Sequence, residues 1–172
     1  MRVFLTGFMG AGKTSVGRPL ADRLGVSFFD LDQEVERQAG RSVQRIFDQE
    51  GEDGFRRLEL AAVEQLLDEP KLVLATGGGT LTREPARRRI EQAGWVVWLD
   101  PPFTTLMERL SQTNSEDRPL FQGEGPARRL YESRLEVYRR CDLRVEVRPT
   151  EQPEEVAARI EQWVARRASE QS

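Results

Sequence analysis

The sequence predicts an α/β protein: a parallel sheet covered on both sides by helices. Three observations carry this. Five short apolar runs of strand type, at residues 3–5, 26–29, 72–75, 95–99 and 143–147, alternate with longer stretches of helical periodicity. Strands alternating with helices need crossover connections, which make the sheet parallel and cover both its faces. Between the first run and the first helical stretch stands Gly7-Phe8-Met9-Gly10-Ala11-Gly12-Lys13-Thr14, which fits the phosphate-binding pattern G-x-x-x-x-G-K-[ST]. Finally, no internal repeat and no linker rich in Gly, Ser or Pro divides the 172 residues, so one domain with a substantial core is expected.

The elements follow in order. The first strand, Val3-Phe4-Leu5, feeds the glycine loop, and Val16, Leu20 and Leu24 then recur at helical spacing over 13–24. After the second strand, three helical stretches at 33–39, 42–49 and 54–67 precede the third, more than a simple crossover needs. Helices over 83–92, 103–110 and 127–139 accompany the later strands. The last helix, 153–168, places Val156, Ile160, Trp163 and Val164 on one face, as a helix packed on a sheet should. Residues 111–126 are polar and without periodicity. A loop of that length beside a phosphate site reads as a lid, because phosphoryl transfer needs water excluded.

The glycine loop is no accident of composition. With 14 glycines and two lysines in the chain, chance would produce this pattern in roughly one such sequence in a thousand. Glycines let successive N–H groups turn into one anion-sized concavity, and the following helix aims its positive dipole end there. Lys13 supplies a mobile ammonium for the β- and γ-phosphates, and Thr14 a hydroxyl for magnesium, which prefers oxygen ligands.

Composition excludes other classes. A net charge of −3 argues against general nucleic-acid binding. The single cysteine, Cys141, permits neither an internal disulfide nor a cysteine zinc cluster, and reads as a small residue packed near a strand start. Histidine is absent, so acid–base chemistry falls to carboxylates or lysine. The chain opens directly into its first strand and holds no long apolar span, which predicts a cytoplasmic protein without a membrane partner.

In parallel α/β sheets ligands bind at the carboxyl ends of the strands. The second strand ends in Phe29-Asp30-Leu31-Asp32, whose carboxylates would share the crevice of the glycine loop, one on hydrated magnesium and one on a substrate hydroxyl. The other reading of Asp32 is an N-cap for a helix beginning at Gln33, and the two roles are compatible. The third strand ends in Gly77-Gly78-Gly79, which allows close approach by a ligand. Arg56, Arg118 and Arg134 belong to a chain with 24 arginines, and composition and periodicity cannot select among them.

Taken together, the loop, Asp30-Leu31-Asp32, Gly40-Arg41-Ser42, Ile46-Phe47, Gly51-Glu52 with Phe55-Arg56, Gly77-Gly78-Gly79 and Arg118-Pro119-Leu120 resemble the shikimate kinases in order and spacing. The stretch 40–59 and the triple glycine make the likeness specific. It implies a P-loop fold of the nucleoside monophosphate kinase type, strand order 2-3-1-4-5, with a substrate-binding insertion at 31–67 and a lid at 111–126. It implies a monomeric, magnesium-dependent kinase acting on the small molecules ATP and shikimate. By the same likeness, nucleotide phosphates meet Gly10, Ala11, Gly12, Lys13, Thr14, Ser15 and Arg118. Thr14 and, through water, Asp30 hold magnesium. Asp32 binds the acceptor hydroxyls as candidate base, with Lys13 and Arg118 completing the catalytic set. Arg56 and Arg134 clamp the carboxylate beside Gly77, Gly78 and Gly79. One position departs: an arginine stacking on adenine is expected about seven residues before Arg118, where this chain has Ser111 and its nearest arginine is Arg109. A related kinase for another sugar acid such as gluconate, or a nucleotide-binding regulator without kinase activity, are the alternative readings.

Overall fold

The computed structural model describes residues 1–112 and 123–170. Five strands, β1 (Arg2–Thr6), β2 (Ser27–Asp30), β3 (Leu72–Ala75), β4 (Trp95–Asp100) and β5 (Leu143–Glu146), form one sheet in the order β2-β3-β1-β4-β5. Every pairing is parallel, as expected. The helices are α1 (Lys13–Leu24), α2 (Leu31–Ala39), α3 (Val43–Leu66), α4 (Glu84–Ala93), α5 (Phe103–Ser111), α6 (Glu124–Tyr138) and α7 (Pro153–Glu170).

The strands bury both faces. Val3, Leu5, Val73 and Val97 point into one core with Val16 and Leu20 of α1, Tyr138 of α6, and Val156 and Ile160 of α7. Phe4, Leu72, Leu74 and Val96 point into the other, with Val35 of α2, Phe55 and Val63 of α3, and Ile90 of α4. Residues of opposite parity thus serve opposite layers, the period of two that strands impose. At one corner Arg2 ties helix ends to β1. It donates to Leu67 O and Glu69 O, both at 2.8 Å and just beyond α3, and to Ala93 O at the end of α4, at 3.4 Å.

The helices expected at 42–49 and 54–67 are both present within α3, kinked against each other where Gly51 takes the non-helical values φ 68°, ψ −171°. Two details differ from the sequence expectation. First, α2 starts at Leu31, and its N-cap is Asp30 rather than Asp32. Secondly, α5 continues through Ser111 and α6 begins at Glu124, so the interhelical segment is shorter than the predicted 111–126. Residues 113–122 of that segment, Arg118 among them, lie outside the described residues. Among the described residues, no helix is long and apolar enough to cross a membrane.

Candidate active site

Register builds the site. Leu5 of β1 and Asp30 of β2 both lie opposite Ala75 of β3, so three chain segments leave the same sheet edge side by side. The glycine loop, the start of α2 and the triple glycine are those segments. Thr76 stitches two of them, its N–H and its hydroxyl each donating to Leu5 O at 3.0 Å. Above this edge opens a cavity of about 1090 Å³ whose walls include Lys13, Asp32, Phe55, Arg56, Gly79 and Arg134. Ser15, on the first turn of α1, also lines it.

The loop has the backbone that the motif requires. Gly10 and Gly12 have φ of +82° and +90°, values open to glycine at little cost. Gly12 is the N-cap of α1, where no side chain caps the helix, and the residues of its first turn line the cavity. The Lys13 ammonium folds back over the loop, donating to Gly7 O at 2.9 Å and Phe8 O at 3.1 Å. Arg109 reaches in from α5 and donates to Gly10 O at 3.0 Å. The sequence singled this residue out only as the arginine nearest the departing Ser111. The fold seats it on the loop, whereas the Ser111 hydroxyl turns back to Glu108 O at 2.8 Å.

Asp30 faces both ways. Its Oδ1 accepts from Asp32 N at 3.1 Å and, more weakly, from Gln33 N at 3.5 Å, capping α2. Its Oδ2 accepts the Thr14 hydroxyl at 2.6 Å. Two hard oxygens, one neutral and one anionic, are thereby brought together beside the loop, a donor pair that suits a hydrated magnesium. Among the described residues no cluster of three or more His, Cys, Asp or Glu side chains could hold a metal by itself.

Asp32 projects into the cavity. Burial pushes its carboxyl up, to about 6, and the nearby Asp30 and Glu59 carboxylates add to the effect. Lys13 and Arg56 oppose it. A ligand that excluded water from the cavity would strengthen each of these interactions.

Opposite Asp32 the arginines converge. A Cβ built on Gly79 would lie 2.5 Å from Arg56 Nη2 and 3.0 Å from Arg134 Nη2, so the missing side chain is what leaves room for both guanidinium groups. Arg134 is itself 7% exposed and stacks over Phe8, its Cζ 5.8 Å from the ring centre. Arg56 is held by Glu59, Nη1 to Oε2 at 2.7 Å, and Glu59 in turn accepts the Thr80 hydroxyl at 2.6 Å. Glu59 is 1% exposed, on the apolar face of α3 with Phe55, Ala62 and Leu66. The sequence reading missed it, although the 55, 59, 62, 66 spacing signals a carboxylate buried for a reason. Tyr138 stands one helical turn after Arg134, at the end of α6. Its ring is wholly buried, and its hydroxyl donates to Gly78 O at 2.6 Å. Cys141 sits half-buried at the edge of both cores, where burial pushes its thiol up, and plays no part here.

A glycine loop with its lysine, a carboxylate oxygen beside the loop threonine, and two converging guanidinium groups across one cavity are the parts of a P-loop phosphotransferase. The comparisons narrow the class. The profile of the shikimate kinase family matches residues 9–165, and the chain belongs to that family. A shikimate kinase of Synechococcus elongatus is 41% identical over 161 residues, 92% of this chain and 83% of the relative. The structure of an Acinetobacter baumannii shikimate kinase in complex with shikimate superposes with a TM-score of 0.89. It shares 38% identity and covers 96% of this chain and 93% of its own. A Sinorhizobium meliloti gluconokinase, covering 98% of this chain and 94% of its own, matches at a TM-score of 0.62 with 20% identity, a likeness of fold alone.

Proposed function

We propose that this kinase transfers the γ-phosphoryl group of ATP to the 3-hydroxyl of shikimate, releasing ADP and shikimate 3-phosphate. The observation that carries the acceptor is the pair of guanidinium groups meeting over Gly79, across the cavity from Asp32. A planar guanidinium pairs bidentately with a carboxylate, so Arg56 and Arg134 suit a small acid whose hydroxyls then fall to Asp32. Gly77, Gly78 and Gly79 form the floor.

On the nucleotide side, the loop amides from Gly10 to Ser15 cradle the phosphates, and Lys13 leaves its loop carbonyls for the β- and γ-oxygens. Thr14 and Asp30 hold magnesium, Asp30 through water. The ion, when bound, neutralises charge developing on the phosphoryl oxygens. Asp32 orients the 3-hydroxyl and accepts its proton as the oxygen–phosphorus bond forms and the β–γ bridge breaks. Its raised carboxyl is better matched to that proton than an ordinary aspartate. Arg118, from the lid, stabilises the transferring group. Arg109, seated on Gly10 O, is the arginine nearest to the position that Ser111 leaves without one.

The chain acts as a single kinase domain over 1–172, with 31–67 as its acceptor-binding part, and works as a monomer in the cytoplasm without nucleic-acid or membrane partners. Purified protein with Mg·ATP tests the reading through ADP release with shikimate, with gluconate and with no acceptor. Release should exceed the acceptor-free rate with shikimate alone. Equal release in all three reactions would sink the kinase reading, and a response to gluconate alone would replace the acceptor.

A further inference from the structure

We infer that Tyr138 is a positioning residue for the acceptor carboxylate: its hydroxyl holds the middle of the triple-glycine floor in place beneath the Arg134 guanidinium. The inference rests on the acceptor assignment above and adds a residue to it.

Three carbonyls of the floor are anchored in two different ways. Gly77 O accepts from Thr80 N at 3.2 Å, and Gly79 O from Thr82 N at 3.1 Å and the Thr82 hydroxyl at 2.6 Å. Those bonds stay within the floor and its own 3-10 turn, Thr80–Thr82. Gly78 O turns the other way and accepts from Tyr138, sixty residues along the chain on the last turn of α6. Gly78 is also the floor residue that faces both halves of the site. A Cβ there would lie 3.0 Å from Arg134 Nη1, 3.4 Å from Gly7 O and 3.6 Å from Met9 N. Where Gly78 sits therefore sets the spacing between the clamp and the phosphate loop.

The donor is built to persist. Tyr138 is wholly buried, packed on Trp98 with ring centres 5.7 Å apart. Burial pushes its phenol up to about 12, against the pull of Arg134, so the proton stays on. Arg134 lies one helical turn earlier, and a Cβ on Gly78 would stand 3.0 Å from its Nη1. The hydroxyl therefore holds the strip of floor that the guanidinium works above. Removing it leaves a part-buried carbonyl without its protein donor, while the ring still fills its place in the core. The floor then has to be ordered by the acceptor itself, which weakens ground-state binding more than turnover.

The test is Tyr138→Phe, with Tyr131→Phe as the control on the same helix. The Tyr131 hydroxyl bonds Asp100 Oδ1 at 3.2 Å, away from the floor. Each protein is assayed with shikimate and with the same ring bearing a hydroxymethyl group in place of the carboxylate. For Tyr138→Phe, the KM for shikimate should rise about tenfold, with kcat and the KM for ATP changed less than about twofold. The preference for the carboxylate over the hydroxymethyl acceptor should fall by a similar factor, while Tyr131→Phe keeps wild-type preference. A general loosening of the fold would instead move the ATP constants and both acceptors together, and that result overturns the inference. So does an unchanged carboxylate preference in a variant that melts near wild type. A wild type that phosphorylates neither acceptor refutes the parent reading, and this one with it.

Discussion

Gly79→Ala separates the clamp from the fold. Gly79 has φ −107°, ψ −2°, a conformation that alanine adopts without strain, so the substitution tests space alone. The new methyl would stand 2.5 Å from Arg56 Nη2, 3.3 Å from Arg56 Cζ and 3.0 Å from Arg134 Nη2. These are the far ends of long side chains, which swing aside before the backbone moves, so the melting temperature should hold. Arg56 has little room to swing, because Nη1 is tied to Glu59 at 2.7 Å. It must either break that ion pair or abandon the place where a carboxylate would sit. A hydrogen bond to a charged group contributes about 1.5–3 kcal/mol. Losing one such guanidinium contact then weakens acceptor binding by about 1.5–3 kcal/mol, a factor of about 12 to 140. The assay is coupled ADP release, titrating shikimate at saturating ATP and then ATP at the highest soluble shikimate. An intact melting curve with a shikimate KM within about threefold of wild type would refute the clamp.

Three further outcomes are expected. The rate should fall on the acid side of about pH 6 as the Asp32 carboxylate takes up its proton, and Asp32→Asn should abolish turnover. The raised carboxyl binds a proton in the folded chain before it does in the unfolded one. Its stabilising effect is full below the ordinary value of 3.8 and is lost as pH rises through about 6, so Asp32→Asn should melt no lower than wild type at pH 7; a clear drop would contradict the burial argument. Glu59→Gln strips the buried partner from Arg56. It should destabilise the fold by roughly 3 kcal/mol in denaturant titration and raise the shikimate KM, since breaking a buried pair strands the remaining charge; wild-type values of both would show that Arg56 is held otherwise. Gly94→Ala would bring a methyl to 2.4 Å from Arg2 O, a backbone clash against β1. Thermal unfolding should show a loss of about 1–3 kcal/mol, with the KM values of both substrates unchanged.

What the sequence carried was whatever depends on local pattern. The five strands were found within a residue or so of their ends, because each is a short apolar run bounded by polar or glycine residues. The glycine loop is a contiguous motif, and α1 was placed at its observed bounds, 13–24. Pattern failed where one position serves two masters. The acids of β2 read as a strand end followed by a helix at Gln33, yet Asp30 caps α2 while also receiving Thr14, so the helix starts two residues early. The two helices read at 42–49 and 54–67 are there, parted by the non-helical Gly51 alone, so the gap between them is narrower than the pattern implied. Glu59 and Tyr138 act through partners 21 and 60 residues away. Contacts of that kind leave no local trace, and only the apolar company of Glu59 along its helix hinted at one. The choice of Arg56 and Arg134 among 24 arginines came from resemblance; the structure gives the physical ground, convergence over a residue without a side chain.

The folded-back Lys13 makes the glycine loop a filter. While its ammonium rests on Gly7 O and Phe8 O, the loop already has a cation satisfied from within. Any anion that wants the lysine has to replace two charge-assisted hydrogen bonds, each worth about 1.5–3 kcal/mol. A lone phosphate meets that competition with little else to gain and at best exchanges like for like. A nucleotide brings a chain of phosphates that also reaches the loop amides and the start of α1, and so comes out ahead. A preference for the long ligand over the short one would thus follow from the two loop carbonyls that the lysine already serves.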